Sequence, residues 1–288
     1  MLKISILVLS CLYLYACQTN TAQNKSQHNT TNLLNENEID SATAPKDSQN
    51  ISKNETKKMI EIDSTLTAEY LMGQFEPSKD ERFVKISPPY SNGDMYGRKE
   101  MFAAFKEMQS AAKKDEIKLT IVSATRTYEM QKSIWEGKWN SKRPVDGKIL
   151  PPLAQLSGKE RALKILLWNS MPSTSRHHWG TDIDMNSTSP AYFAAGQGKK
   201  EYDWLANNAG KFGFCQTYSE FGESRTTGYQ VEKWHWSYLP IAQKCTEAYP
   251  ILVKNEDIKG FVGAETAVDI DIISNYVLGI NKGCQAKN

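Results

Sequence analysis

Aromatic side chains decide where this chain can build a core. Of its 29 Trp, Tyr and Phe residues, 27 lie beyond residue 60, and none lies between Gln18 and Ile60. Within that stretch of 43 residues, Asn, Ser, Thr and Gln supply 22 positions. A segment so poor in apolar surface cannot offset its conformational entropy, so it is expected to be a disordered tether. The fold is therefore confined to about 61–288, which is enough chain for one complete core. Thirty-five Lys and Arg against 33 Asp and Glu leave a formal charge of +2, and no stretch concentrates basic charge on one face. A nucleic-acid partner is not expected. A single apolar run of membrane character excludes a polytopic membrane protein, and the composition excludes a collagenous or wholly disordered chain.

That apolar run opens the chain, with Met1-Leu2-Lys3 followed by an uncharged stretch from Ile4 to Tyr15. A basic start and a short apolar stretch read as a secretory signal, too short to span a bilayer. Leu14-Tyr15-Ala16-Cys17 places a small residue before a cysteine at the end of the run, and resembles a bacterial lipobox. The resemblance implies a signal peptide over 1–16, then a lipidated Cys17 and tether over 17–60, then the folded domain over 61–288. Such a protein is exported to the bacterial cell envelope and anchored to a membrane, on its periplasmic side or at the surface, without spanning it. Cys215, Cys245 and Cys284 remain, and an oxidising compartment favours one disulfide. Cys245–Cys284 is the expected pair, because both flank the final helices.

Phe102, Phe105, Met108 and Ala112 recur at helical spacing within 98–115, and Ile117, Leu119 and Ile121 then alternate as in a half-buried strand. Tyr128, Gln131, Ile134 and Trp135 predict a second helix ending near Gly137, and the prolines of 140–157 an excursion over the surface. The pattern further predicts a helix over 160–168, a loop over 171–180, a short strand over 181–185 and a helix over 202–212. An aromatic strand over 233–238 and a closing helix over 264–278 complete it. Helices and strands are interspersed without a βαβ rhythm, so α+β is the expected class.

Of four histidines, His28 lies in the tether and three fall in two short segments. These are Ser175-Arg176-His177-His178-Trp179-Gly180-Thr181-Asp182-Ile183-Asp184 and Glu232-Lys233-Trp234-His235-Trp236. Two imidazoles and a carboxylate suit Zn²⁺ with one tetrahedral position open, and a carboxylate off the metal can take a proton there. Asp182 and Asp184 are two apart, so they share a strand face while Ile183 points into the core. On periodicity alone either aspartate can be a ligand, and His177 and His178 compete for one position. Ser110-Ala111-Ala112-Lys113 fits the Ser-x-x-Lys nucleophile signature. No Lys-Thr-Gly or Lys-Ser-Gly accompanies it, and the helix pattern already accounts for the segment.

The two histidine segments resemble the Ser-x-His-x-x-Gly-x-x-x-Asp and Glu-x-Trp-His motifs of the zinc D-alanyl-D-alanine carboxypeptidases of the VanY type. Upstream, Ser123-Ala124-Thr125-Arg126-Thr127-Tyr128-Glu129-Met130-Gln131 is similar to that family's Tyr-Arg-Ser-x-x-x-Gln stretch, and the blocks follow the family's order over roughly 70–245. The resemblance implies a single domain of the hedgehog/D,D-peptidase fold group, with a small antiparallel sheet carrying a zinc site and flanked by helices. It makes His177, Asp184 and His235 the zinc ligands and Glu232 the catalytic base. Arg126 would hold the substrate or the developing oxyanion, and Ser175 and Gln131 would lie at the bound substrate. The implied reaction is removal of the terminal D-alanine from peptidoglycan stem peptides. The same machinery serves an L,D-carboxypeptidase or an endopeptidase, and a zinc-bearing cell-wall binding module without turnover is the alternative from another class. Glu232 argues against that last reading, since a structural site has no use for a base. Thr125 replaces the family's usual aromatic, and Asp182 stands where alanine is usual, adding a carboxylate that serves either as an outer partner or as an alternative ligand. Trp179, Trp234 and Trp236 are expected to wall the site.

Overall fold

The alternating segments around the two histidine motifs become the central strands of one sheet. A computed structural model describes residues 63–285, so the expected signal, Cys17 and all of the expected tether lie outside the described residues. Strands β1 (Phe83–Ile86) and β2 (Met95–Arg98) pair as a separate antiparallel hairpin, which sequence periodicity did not isolate. Strands β3 (Ile121–Ser123), β4 (Asp182–Met185), β5 (Phe214–Gln216) and β6 (His235–Tyr238) form an antiparallel sheet in the order β3-β4-β6-β5. Asp182 faces Ser237, Ile183 faces Trp236 and Asp184 faces His235 across the central pair. Side chains alternate along a strand, so Asp182, Asp184, His235 and Ser237 share one face and Ile183 and Trp236 the other.

The apolar face packs on α2 (Lys99–Lys114), whose Met101, Phe105, Met108 and Ala112 form the buried stripe that helical spacing predicts. Leu205 of α5 (Gly196–Asn208) joins the same cluster. A second cluster gathers Tyr70 and Leu71 of α1 (Ala68–Leu71), Trp135 and Trp139 of α3 (Tyr128–Trp139), and Ala162 and Ile165 of α4 (Gly158–Ile165). Cys245 and Tyr249 of α6 (Leu239–Leu252) and Ile270 of α7 (Thr266–Ile270) complete it. Local signals start these helices: the Thr127 hydroxyl accepts from Met130 N–H, and Ser157 with Glu160 makes a capping box.

Several expectations need correction. The second helix runs through Gly137 to Trp139, and the strand expected at 117–121 pairs only from Ile121 to Ser123. The expected 264–278 helix breaks at Asp271, which sits at φ +48°, and resumes as one π-helical turn, Ile273–Val277. Helix α6 escaped notice because it contains Pro240 and Pro250. Pro240 lies in the first turn, where its missing N–H leaves no bond unmade, and Pro250 lies in the last. The disulfide joins Cys215 to Cys284, with Cα atoms 5.7 Å apart, and Cys245 is a free thiol among the described residues. Asn281 N–H donates to Thr217 O, which brings the C-terminal turn against β5 and Cys284 beside Cys215, whereas Cys245 is fully buried in the core.

The bridge spans 69 residues of sequence. A disulfide typically contributes about 2–4 kcal/mol, chiefly by constraining the unfolded chain. Cys215→Ser with Cys284→Ser is expected to lower denaturant stability by about that amount. Unchanged stability on reduction would contradict this pairing.

Candidate metal centre

The site is assembled by one cross-strand pair and one turn. Register places Asp184 beside His235. His177 arrives from the 3₁₀ turn Arg176–Trp179, which closes on Gly180 at φ +70°, where a Cβ would also strike the Phe83 ring. One ligand atom from each of His177, Asp184 and His235 lies within 4.8 Å of the others, and all three residues are buried. Asp184 Oδ1 is 3.3 Å from His177 Nε2 and 3.2 Å from His235 Nδ1.

Partners behind the rings set the protons. His177 Nδ1 lies 2.8 Å from Ala124 O, which can only accept, so Nδ1 carries the hydrogen and Nε2 presents a lone pair. His235 Nε2 lies 2.9 Å from Asp182 Oδ1, so Nε2 donates and Nδ1 turns toward Asp184. Buried His177 Nε2 and Asp184 Oδ1 have no hydrogen-bond partner among the described residues. Burial opposes charge on Asp184, yet His177 and His235 beside it hold its carboxyl well below the usual range. Burial also opposes charge on His235, but Asp182 and Asp184 prevail and raise it to about 9. Burial, helped by the Arg126 charge, lowers His177.

The cluster therefore calls for a cation. Zinc bonds of 2.0–2.1 Å in a tetrahedral centre put ligand atoms roughly 3.3 Å apart. The separations of 3.2 and 3.3 Å from Asp184 Oδ1 match that spacing, and two imidazoles with one carboxylate suit zinc. The residues present fit the metal.

Glu232 stands at the edge of this set, its Oε2 3.6 Å from His235 Nδ1. Its backbone is held on both sides, since Glu232 N–H donates to Tyr218 O and Glu232 O accepts from His235 N–H. Burial pushes the carboxyl up to about 8 despite His235 nearby. Asp184, Glu232, Arg126 and Trp234 line a cleft of about 480 Å³. Trp168 stacks on Trp234 with centroids 5.8 Å apart.

Other expected site residues lie elsewhere. His178 faces away from the cluster: its Nδ1 lies 2.6 Å from Arg126 O, and burial lowers it to about 3, leaving it neutral. It holds the Arg126 backbone, whose N–H donates to His177 O. Gln131 is fully buried and donates to Ser170 O at 2.8 Å, buttressing the segment that supplies Asn169 to the cleft. Ser175 is buried with its hydroxyl unpartnered, and neither it nor Gln131 lines the cleft. Of the three expected tryptophans only Trp234 does so, as Trp179 donates to Leu71 O and Trp236 sits in the core across the sheet. Sequence reading missed Trp168, Asn169, Lys138 and Asp146 of the cleft. The last lies in the proline-rich excursion, where no periodicity marks an inward side chain.

Fold and site together define an α+β domain whose sheet carries a His–Asp–His centre of metal-binding type beside a cleft. The family model for D-alanyl-D-alanine carboxypeptidase, VanY, matches residues 94–241, and the chain belongs to this family. It is 31% identical over 150 residues to the protein named "Putative carboxypeptidase YodJ" of Bacillus subtilis (strain 168), covering 50% of this chain and 46% of that one. The chain thus spans about half the length of that relative. Among solved structures, the LdcB LD-carboxypeptidase is 24% identical, with 71% of this chain and 78% of that one covered at a TM-score of 0.43. VanYB in complex with D-alanine-D-alanine is 22% identical, with 61% and 86% covered at a TM-score of 0.43.

The unaltered protein is expected to retain zinc through dialysis, and His177→Ala, Asp184→Ala and His235→Ala are each expected to lose it, read by elemental analysis. Full zinc content in any of them would remove that residue from the ligand set.

Proposed function

We propose that the chain is a zinc-dependent D,D-carboxypeptidase that hydrolyses the terminal D-Ala-D-Ala bond of peptidoglycan stem peptides. We further propose that it works in the bacterial cell envelope, anchored by a lipid on Cys17 and reaching the wall on the tether of residues 17–60. The convergence of buried His177 Nε2, Asp184 Oδ1 and His235 Nδ1 beside Glu232 carries the reading.

His177, Asp184 and His235 would hold zinc, which when bound supplies Lewis acidity for hydrolysing an amide near neutral pH. Glu232 takes the proton of the attacking water and delivers it to the leaving amine. Burial favours this role because a carboxyl poised near neutrality both accepts and returns a proton. Arg126, on the same cleft, faces the negative charge that grows on the carbonyl oxygen or the terminal carboxylate of the substrate. The Trp168–Trp234 stack supplies an apolar wall that limits access of bulk water. Gln131 supports the cleft from behind through its bond to Ser170 O.

Incubating the protein with a pentapeptide muropeptide and reading products by mass spectrometry tests the proposal. Loss of one alanine, blocked by chelator, restored by zinc and indifferent to penicillin, is the expected result. No cleavage by zinc-loaded protein would overturn it, as would cleavage only of a tetrapeptide. Glu232→Gln is expected to keep its zinc and lose about 10²–10⁴-fold in kcat. Arg126→Ala is expected to lose about 10²–10³-fold in kcat. An unchanged kcat in either variant would remove that residue from its role.

A further inference from the structure

The geometry points to Asp182, held by Arg176, as the positioning residue that fixes which nitrogen of His235 meets the metal and how tightly the metal is held. This inference rests on the zinc reading of the site. Asp182 is fully buried and its carboxylate accepts from four donors. Oδ1 accepts from His235 Nε2 at 2.9 Å and from Arg176 Nε at 3.1 Å. Oδ2 accepts from the Thr181 hydroxyl at 2.6 Å and the Ser237 hydroxyl at 3.0 Å.

Two consequences follow from this saturation. Asp182 approaches His235 from the ring nitrogen opposite the cluster, so it is an outer partner and not a ligand. A carboxylate only accepts, so the hydrogen of His235 stays on Nε2 and Nδ1 is the nitrogen left to offer its lone pair to a cation in the cluster. An anionic acceptor on the far nitrogen also raises the basicity of the near one, which strengthens the metal bond.

Such a buried anion needs a compensating charge, and Arg176 provides it with a side chain that is itself fully buried. The remaining guanidinium nitrogens donate to Thr246 Oγ1 at 2.8 Å and Ser237 Oγ at 3.0 Å, and the group lies 4.4 Å over the Trp179 ring. Asp182 belongs to β4, Ser237 to β6 and Thr246 to α6. The packing of these elements is thereby transmitted to one imidazole.

The test is the zinc dissociation constant, measured by chelator competition, with the thermal midpoint of the zinc-free protein as the control for folding. Asp182→Asn presents an amide that can turn its N–H toward His235 and invert the tautomer, and is expected to weaken zinc binding about 10–100-fold. Because Asp182→Asn alone strands a buried arginine charge, Arg176→Gln with Asp182→Asn removes both charges and is expected to show the same loss. Zinc affinity within twofold of the unaltered protein in a folded variant would overturn the inference. The unaltered protein gives a second reading when cobalt replaces zinc. Two paramagnetically shifted exchangeable imidazole resonances are expected, from His177 Nδ1–H and His235 Nε2–H, with the second slow to exchange into deuterated solvent. Absence of the protected second resonance would overturn the inference even if no variant folds. Failure of the unaltered protein to bind zinc at all would instead overturn the reading of the site itself.

Discussion

The register of β4 against β6 sets Asp184 opposite His235 and Asp182 opposite Ser237, and the rest of the site is arranged around that pairing. Strand side chains alternate between faces, so a slip of one residue would exchange Asp184 for Ile183 or Met185. Apolar side chains would then meet the histidines, and carboxylates would meet the core formed with α2. The hydrophobic cost of that exchange is what holds the register. Ile183, Met185 and Trp236, packed in the core, thus keep Asp184 and His235 on the opposite face.

Concentrating so much charge out of water is tolerable only where each group is paired. Asp182 is matched to Arg176 and His235, and together they hold its carboxyl below the usual range although burial opposes this. His177 is satisfied on one nitrogen by Ala124 O and left open on the other. Glu232, with no arginine at hydrogen-bonding distance among the described residues, is the carboxyl that burial raises to about 8. Three neighbouring carboxylates are therefore set differently by their surroundings. Arginine and hydroxyl donors hold one outside the cluster, a second faces two imidazoles, and burial raises the third toward neutrality.

Much of this was legible from residue types and spacing. Two-residue periodicity put Asp182 and Asp184 on one face and Ile183 in the core, which the sheet bears out. It could not choose between the aspartates, because the choice depends on which ring nitrogen of His235 each one meets. Nor could it choose between His177 and His178, whose directions diverge within a single 3₁₀ turn toward Ala124 O and Arg126 O. Arg176 carried no signal of its own, since its partners Thr246 and Ser237 lie 70 and 61 residues away. The disulfide was misread for a related reason. Proximity of Cys245 to the last helices in sequence says nothing about a C-terminal turn that crosses to an edge strand. Local rules found the amphipathic helices and short strands, and long-range pairing settled the rest.

X-ray absorption at the zinc edge of the purified protein tests the central claim most directly. A buried His177–Asp184–His235 centre predicts a first shell of nitrogen and oxygen alone at about 2.0–2.1 Å, with outer-shell scattering from two imidazoles. A sulfur ligand at about 2.3 Å, or scattering from no imidazole, would contradict it.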